Sequence, residues 1–185
     1  MPRPRPRPRR RQAAAVRLVL LSDAHLEGLA DLVADPAVQR FTRIPVPPPA
    51  GFATTWLTRF EQARLDGTRE CFAIVDSLDS SFLGAAVAPK IDRQTATAEL
   101  GYVVLPAARG RGVAVNALRQ LAAWAFDELG MQRLELLISV ANEPSKRVAE
   151  RSGFVLEGVL RSHALKPGVR EDMEIWSRLP SDPEP

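Results

Sequence analysis

A single cysteine among 185 residues excludes an intramolecular disulfide and gives no sign of an oxidising compartment. Two histidines beside it are too few for a protein-held zinc site, so no metal is expected. No apolar run reaches the length of a membrane helix, so no membrane partner is expected and the chain reads as cytoplasmic. Only one tyrosine is present, Tyr102, so a phenol can serve chemistry at one position alone.

Excess positive charge is confined to one end. Residues 1–11 read Met-Pro-Arg-Pro-Arg-Pro-Arg-Pro-Arg-Arg-Arg, with six arginines and four prolines. They contain no apolar h-region and are not a secretory signal. Alternating prolines bar a helix and favour an extended, solvated chain. The net charge is +3, and removing six leaves 3 − 6 = −3 for the rest. The main body therefore lacks the basic surface of a nucleic-acid binder, and RNA contact is expected only as non-specific contact by the tail. We divide the chain into a disordered Arg/Pro-rich tail (1–15), one domain (16–179) and a short disordered tail (180–185). A hydrophobic content of 45% suffices for one core.

Against that background one stretch stands out, Leu105-Pro106-Ala107-Ala108-Arg109-Gly110-Arg111-Gly112-Val113-Ala114. A β-rich run over residues 97–105 stops at Pro106, which cannot donate to a ladder. Beyond the loop, Leu118, Leu121, Ala122, Ala125 and Leu129 repeat with helical spacing, and Gly130 suits a helix C-terminus. The geometry is strand, Arg/Gly turn, helix N-terminus. The first N–H groups of such a helix have no internal partner, and its dipole adds partial positive charge. Gly110 and Gly112 let an anion approach the backbone, and Arg109 and Arg111 offer forks suited to phosphate. This predicts a pyrophosphate cradle; a solvated basic loop is the plain alternative. No Gly-Lys-Ser/Thr follows, and the third glycine of G-x-G-x-x-G is missing.

The remaining pattern predicts a strand over 16–21, Ser22 capping a helix that ends near Asp35-Pro36, and a proline loop over 43–51. A helical face follows with Phe52, Trp56, Leu57, Phe60 and Ala63. Strands over 71–75 and 82–87 form a hairpin in which Cys71 is a small buried hydrophobe. The strand over 133–140 precedes a helix capped by Asn142 or Glu143 and ending at Gly153. Strands over 154–160 and 171–179 close the chain around Lys166-Pro167-Gly168. The order is β α α β β β α β α β β, and the strand–helix–strand unit should be a right-handed parallel crossover.

Four separated blocks resemble the GNAT superfamily of N-acetyltransferases, in its RimJ/RimL-like branch. They are Ala98-Glu99-Leu100-Gly101-Tyr102; Arg109 to Ala114, as Arg-x-x-Gly-x-Ala; Asn142-x-x-Ser145 with Glu150-x-x-Gly153-Phe154; and Glu157-Gly158-Val159-Leu160-Arg161 followed by Gly168 and Asp172. The resemblance covers residues 16–179. It implies an α/β (α+β) fold with a mixed, mostly antiparallel sheet, a central splayed parallel strand pair, and flanking helices. It implies acetyl-CoA as cosubstrate and a primary amine, protein N-terminus or small molecule, as acceptor. It leaves a homodimer open.

The resemblance also assigns roles. Backbone groups of Val103 and Val104 would bind the pantetheine arm. Arg109, Gly110, Arg111, Gly112, Val113 and Ala114 would hold the pyrophosphate, and Asn142 and Ser145 would touch CoA. Glu99 is the candidate base, with an alternative role as the partner of a neighbouring Arg. A backbone N–H near Val103 would stabilise the oxyanion. Gly101 would sit at the bulge that opens the splay. Many GNAT enzymes carry a Tyr just beyond the Asn of the third block; this chain lacks it, and Ser145 is the hydroxyl there. Glu157, Arg161 and Asp172 read as one charge set, and His163 as a solvated loop residue near the acceptor. A GNAT-fold acyl-CoA sensor without efficient catalysis is the competing reading.

Overall fold

The computed structural model describes residues 14–185; the Arg/Pro tail lies almost entirely outside them. The elements are β1 (Val16–Leu20), α1 (Leu26–Ala34), α2 (Pro36–Phe41), α3 (Phe52–Leu65), β2 (Glu70–Asp76), β3 (Phe82–Asp92), β4 (Thr97–Val104), α4 (Val113–Asp127), β5 (Arg133–Ser139), α5 (Glu143–Arg151), β6 (Val155–Lys166) and β7 (Val169–Arg178). The strands form one sheet in the order β1-β2-β3-β4-β5-β7-β6. Every neighbouring pair is antiparallel except β4 and β5.

Each sheet face buries one helical layer. On one face, α4 inserts Leu118, Leu121, Ala122 and Ala125, all fully buried, against Ala98, Leu100 and Leu134. This is the apolar stripe legible in the sequence. On the other face, α1 and α3 bring Leu29, Leu32 and Leu57 against Ala73, Val75 and Ala85. Cys71 lies in this second layer with no exposure, and burial pushes its thiol up to about 12, so it is inert packing.

Three local departures come from interactions that periodicity does not encode. Helix α1 ends at Ala34, as expected, but a second short helix follows at once: the Asp35 carboxylate accepts from Ala37 N–H at 2.7 Å and Val38 N–H at 3.1 Å, starting α2 with Pro36 in its first turn. The last hairpin is longer than expected, because β6 runs through His163 to Lys166 before turning at Gly168. The ends are also engaged. Ala14 N–H donates to Arg111 O at 2.9 Å and Ser77 N–H to Ala15 O at 3.0 Å. Just past β7, Asp182 closes a local turn, its side chain accepting from Leu179 N–H at 2.8 Å.

Candidate active site

The parallel pairing of β4 and β5 is short. It joins Thr97, Ala98 and Glu99 to Arg133, Leu134 and Glu135, then stops. Beyond that point β4 pairs only with β3 and β5 only with β7. The sheet therefore opens between Leu100–Val104 on one side and residues 136–139 on the other. A bulge in β3 lies beside the point where the pairing stops. Ala88 and Pro89 stand opposite Leu100 alone, between the Val87–Gly101 and Lys90–Glu99 pairs. The bulge expected at Gly101 is thus made by an extra residue in the neighbouring strand, and a Pro is compatible with it because that position needs no ladder N–H.

Main-chain groups alternate sides along a strand. Leu105 N–H bonds Leu83 O at 2.9 Å, so Leu105 and Val103 turn their backbone groups to β3. Tyr102 and Val104 turn theirs to the opening. The Val103 backbone, expected to bind pantetheine and supply a donor, is thus spent on β3, and the groups exposed at the opening are those of Tyr102 and Val104. The Val103 side chain still lines the cleft.

The cleft has a volume of about 1560 Å³ and is lined from both sheet faces. On the α4 side it reaches Gly110, Gly112, Val113, Ala114, Asn142 and Ser145. On the α1–α3 side it reaches Arg43, Trp56 and Glu99. The opening joins the two halves through the sheet.

At the loop before α4, Gly110 and Gly112 both adopt the left-handed conformation, with φ of 72° and 79°. Gly112 is the N-cap and has no side chain to offer, and Asn116 N–H is the first to bond the helix start, at Gly112 O, 3.1 Å. The N–H groups of Val113, Ala114 and Val115 therefore face the cleft as a donor set. The two arginines are placed differently from each other. Arg109 lines the cleft but is tied down: Nε donates to Val104 O at 3.0 Å and Nη2 to Asp35 Oδ2 at 2.9 Å. Arg111 turns away from the cleft to Asp76, 3.8 Å off. The donor set is thus chiefly backbone, with Arg109 as its brace. Asp35 bridges brace and α2 cap. Burial alone would raise its pKa, but bonds from Val38 and Ala37 N–H and the Arg109 charge outweigh that and lower it.

Across the opening, Asn142 caps α5 through Ser145 N–H at 3.3 Å. Ser145 Oγ lies 2.9 Å from Tyr102 Oη. Burial pushes the Tyr102 phenol up to about 12, the Ser145 bond opposing it, so the phenol keeps its proton near neutrality. Sequence reasoning missed this pair. The signal was present in the sole Tyr, on the face of β4 that α4 and α5 cover. Glu99 is on the opposite face, and Arg43 Nη2 reaches its Oε1 at 2.8 Å. Both readings made for Glu99 thus bear on one residue: it lines the cleft and it pairs with an Arg.

The charge set expected at the last strands does not assemble. Glu157 pairs with Arg133 at 2.6 Å and accepts from Ser177 Oγ, and Asp172 accepts from Ser162 N–H at 2.8 Å. The three partners, Arg133, Ser177 and Ser162, lie in three different strands, so spacing in the sequence could not show them. Arg161 is exposed. His163 lies within β6 and lines the cleft, where a loop position was expected. Among the described residues, no helix is long and apolar enough to cross a membrane.

Comparison with known proteins agrees with this geometry. The family pattern described as acetyltransferase (GNAT) domain matches residues 15–155. The chain is 34% identical over 101 residues to YdaF of Bacillus subtilis (strain 168), whose name assigns it provisionally to the ribosomal N-acetyltransferases; the match covers 55% of each chain, about half the length of that relative. It is 34% identical over 125 residues to YjcK of the same organism, provisionally named an N-acetyltransferase, covering 66% of this chain and 69% of YjcK. The fold superposes on RimL, the ribosomal L7/L12 alpha-N-protein acetyltransferase, solved with coenzyme A, with a TM-score of 0.81 at 19% identity, covering 89% of this chain and 93% of that one. The mixed seven-stranded sheet, its single parallel pair opening beyond Glu99, and the match over residues 15–155 lead to one conclusion: the chain belongs to the GNAT acetyltransferase family.

Proposed function

We propose that the chain transfers an acetyl group from acetyl-CoA to a primary amine, directly, within a ternary complex. The observation that carries this reading is the opening between β4 and β5, with a proton acceptor on one sheet face and a hydroxyl pair on the other. The N–H groups of Val113, Ala114 and Val115, behind Gly112, hold the pyrophosphate. Arg109 keeps that loop in place through Asp35. The backbone groups of Tyr102 bind the pantetheine arm along the free edge of β4, leaving the Val104 N–H for the thioester oxygen. Asn142 and Ser145 line its far side.

Glu99 accepts a proton from the acceptor ammonium, directly or through one water. The freed nitrogen attacks the thioester carbon, and Val104 N–H stabilises the charge on the carbonyl oxygen. As the carbon–sulfur bond breaks, the electron pair goes to sulfur. Ser145 Oγ gives sulfur a proton and recovers one from Tyr102, whose phenol regains it from solvent. The nitrogen, still carrying an extra proton after attack, releases it to water as the amide forms. Glu99 returns its proton to solvent, so one proton is set free per turnover.

Thiol release from acetyl-CoA, measured over a panel of amines, tests the reading. Amine-dependent release with matching acetylated product is expected. Tight acetyl-CoA binding without release for any amine would favour a sensor.

A further inference from the structure

Arg43 is paired with Glu99 and is otherwise uncommitted among the described residues. Nη2 meets Glu99 Oε1 at 2.8 Å, the side chain is 50% exposed, and no other acceptor binds it among the described residues. A guanidinium has five N–H donors in one plane. One edge can keep Glu99 while another takes a second carboxylate, in the geometry that makes Arg–carboxylate pairs strong.

The surroundings favour such a guest. The half of the cleft beneath α1–α3 is lined by Arg43, Arg59, Arg69, Lys90 and Arg93, against Asp66, Asp92 and Glu99: five cations, three carboxylates. Two of the three carboxylates are already engaged. Glu99 holds Arg43, and Asp92 accepts from Gln94 and Thr95 N–H within its turn. A lobe with that balance attracts an anionic group and resists a polycation. Its wall carries an aromatic ladder, with Phe52, Trp56 and Phe60 at successive centroid spacings of 6.0 Å.

Resting on the acetyl-transfer reading above, we propose that the acceptor is a primary amine bearing a carboxylate a few bonds from its nitrogen, and that Arg43 binds that carboxylate. The acceptor's two charges then meet the Arg43–Glu99 pair crosswise. Its carboxylate lies on Arg43, and its ammonium comes to Glu99, which deprotonates it. The aromatic ladder takes an apolar side chain.

Two matched pairs of acceptors test this with the full chain and saturating acetyl-CoA, by thiol release. One pair is L-phenylalanine and L-phenylalaninamide, which isolates an α-carboxylate. The other is Ser-Glu-amide and Ser-Gln-amide, which isolates an acidic second residue in a peptide. The parent should prefer the carboxylate member of one pair by about 10- to 100-fold in kcat/KM, the worth of a charge-assisted contact; the pair that shows it identifies the source. Arg43→Gln should shrink that ratio to about twofold or less, through KM of the carboxylate member, and Arg43→Lys should keep part of it, because Lys preserves the charge without the fork. An unchanged melting curve confirms that the variants fold. Equal turnover within both pairs, a preference for the amides, or a ratio that survives Arg43→Gln overturns the inference and leaves acetyl transfer standing. No turnover of these four acceptors or of any other amine sinks both.

Discussion

At the scale of single residues, the Tyr102–Ser145 pair and the Asp35–Arg109 brace carry separate consequences. If Ser145 protonates the leaving sulfur with Tyr102 behind it, Ser145→Ala should lower kcat by about 10²-fold or more. Tyr102→Phe should lower it less, because the Ser hydroxyl remains. Acetyl-CoA affinity should change little in either variant. A kcat within a fewfold of the parent for both would remove the pair from the proton path. Glu99→Gln should likewise lower kcat far more than it weakens acetyl-CoA binding. The brace acts on stability. Asp35 has its pKa lowered in the fold, so the folded chain binds fewer protons than the unfolded one in the acid range. Its contribution is complete above the ordinary carboxylate value and fades as pH falls through the lowered one. Arg109→Ala removes bonds to Asp35 and Val104 and should cost about 1–3 kcal/mol near neutrality. The gap to the parent in urea midpoints should narrow in acid. An unchanged gap would show that the Asp35 carboxylate contributes nothing through Arg109.

At the scale of elements, α4 ties cradle to core. Leu118 and Leu121 are fully buried between it and the sheet, so Leu121→Ala should cost about 2–5 kcal/mol in denaturant unfolding. A loss below 1 kcal/mol would mean that the layer repacks freely. This helix was legible in the sequence because its apolar stripe keeps helical period, and the loop before it because two glycines follow a strand-ending proline. What stayed hidden depends on partners distant in the chain. Nothing local to Arg109 announces Asp35, and nothing near Glu99 announces Arg43. The bulge was placed at Gly101 because glycine in a strand is a visible signal, whereas the two-against-one count at Ala88 and Pro89 exists only once β3 and β4 are paired. Which of the backbone groups near Val103 face the opening was hidden for a related reason: the side is fixed by register, here by Leu105 on Leu83. The α2 helix was missed because a proline after Asp reads equally as a stop or a start.

At the scale of the whole molecule, the essential feature is a sheet pierced near its middle. Two hydrophobic layers, one under α4 and one under α1–α3, hold the sheet from either side. The opening between β4 and β5 connects their faces. The N-terminal arginines carry no apolar side chains to bury; among the described residues, Ala14 N–H bonds Arg111 O. A chain starting at Gln12 should therefore keep the melting temperature and acetyl-CoA affinity of the full chain. A large loss of either would show that the tail docks on the domain.

The central claim is that the backbone at the start of α4 receives the pyrophosphate of acetyl-CoA, and Gly112→Glu tests it most directly. Residue 112 is the N-cap, at φ of 79°, and a carboxylate there would occupy and repel the anion's place. Calorimetric titration of acetyl-CoA into the variant and the parent, with circular dichroism as the folding control, makes the measurement. The account predicts a folded variant with no measurable binding, while Arg111→Ala, whose side chain faces Asp76, binds nearly as the parent does. A folded Gly112→Glu protein that binds acetyl-CoA with the parent's affinity would contradict it.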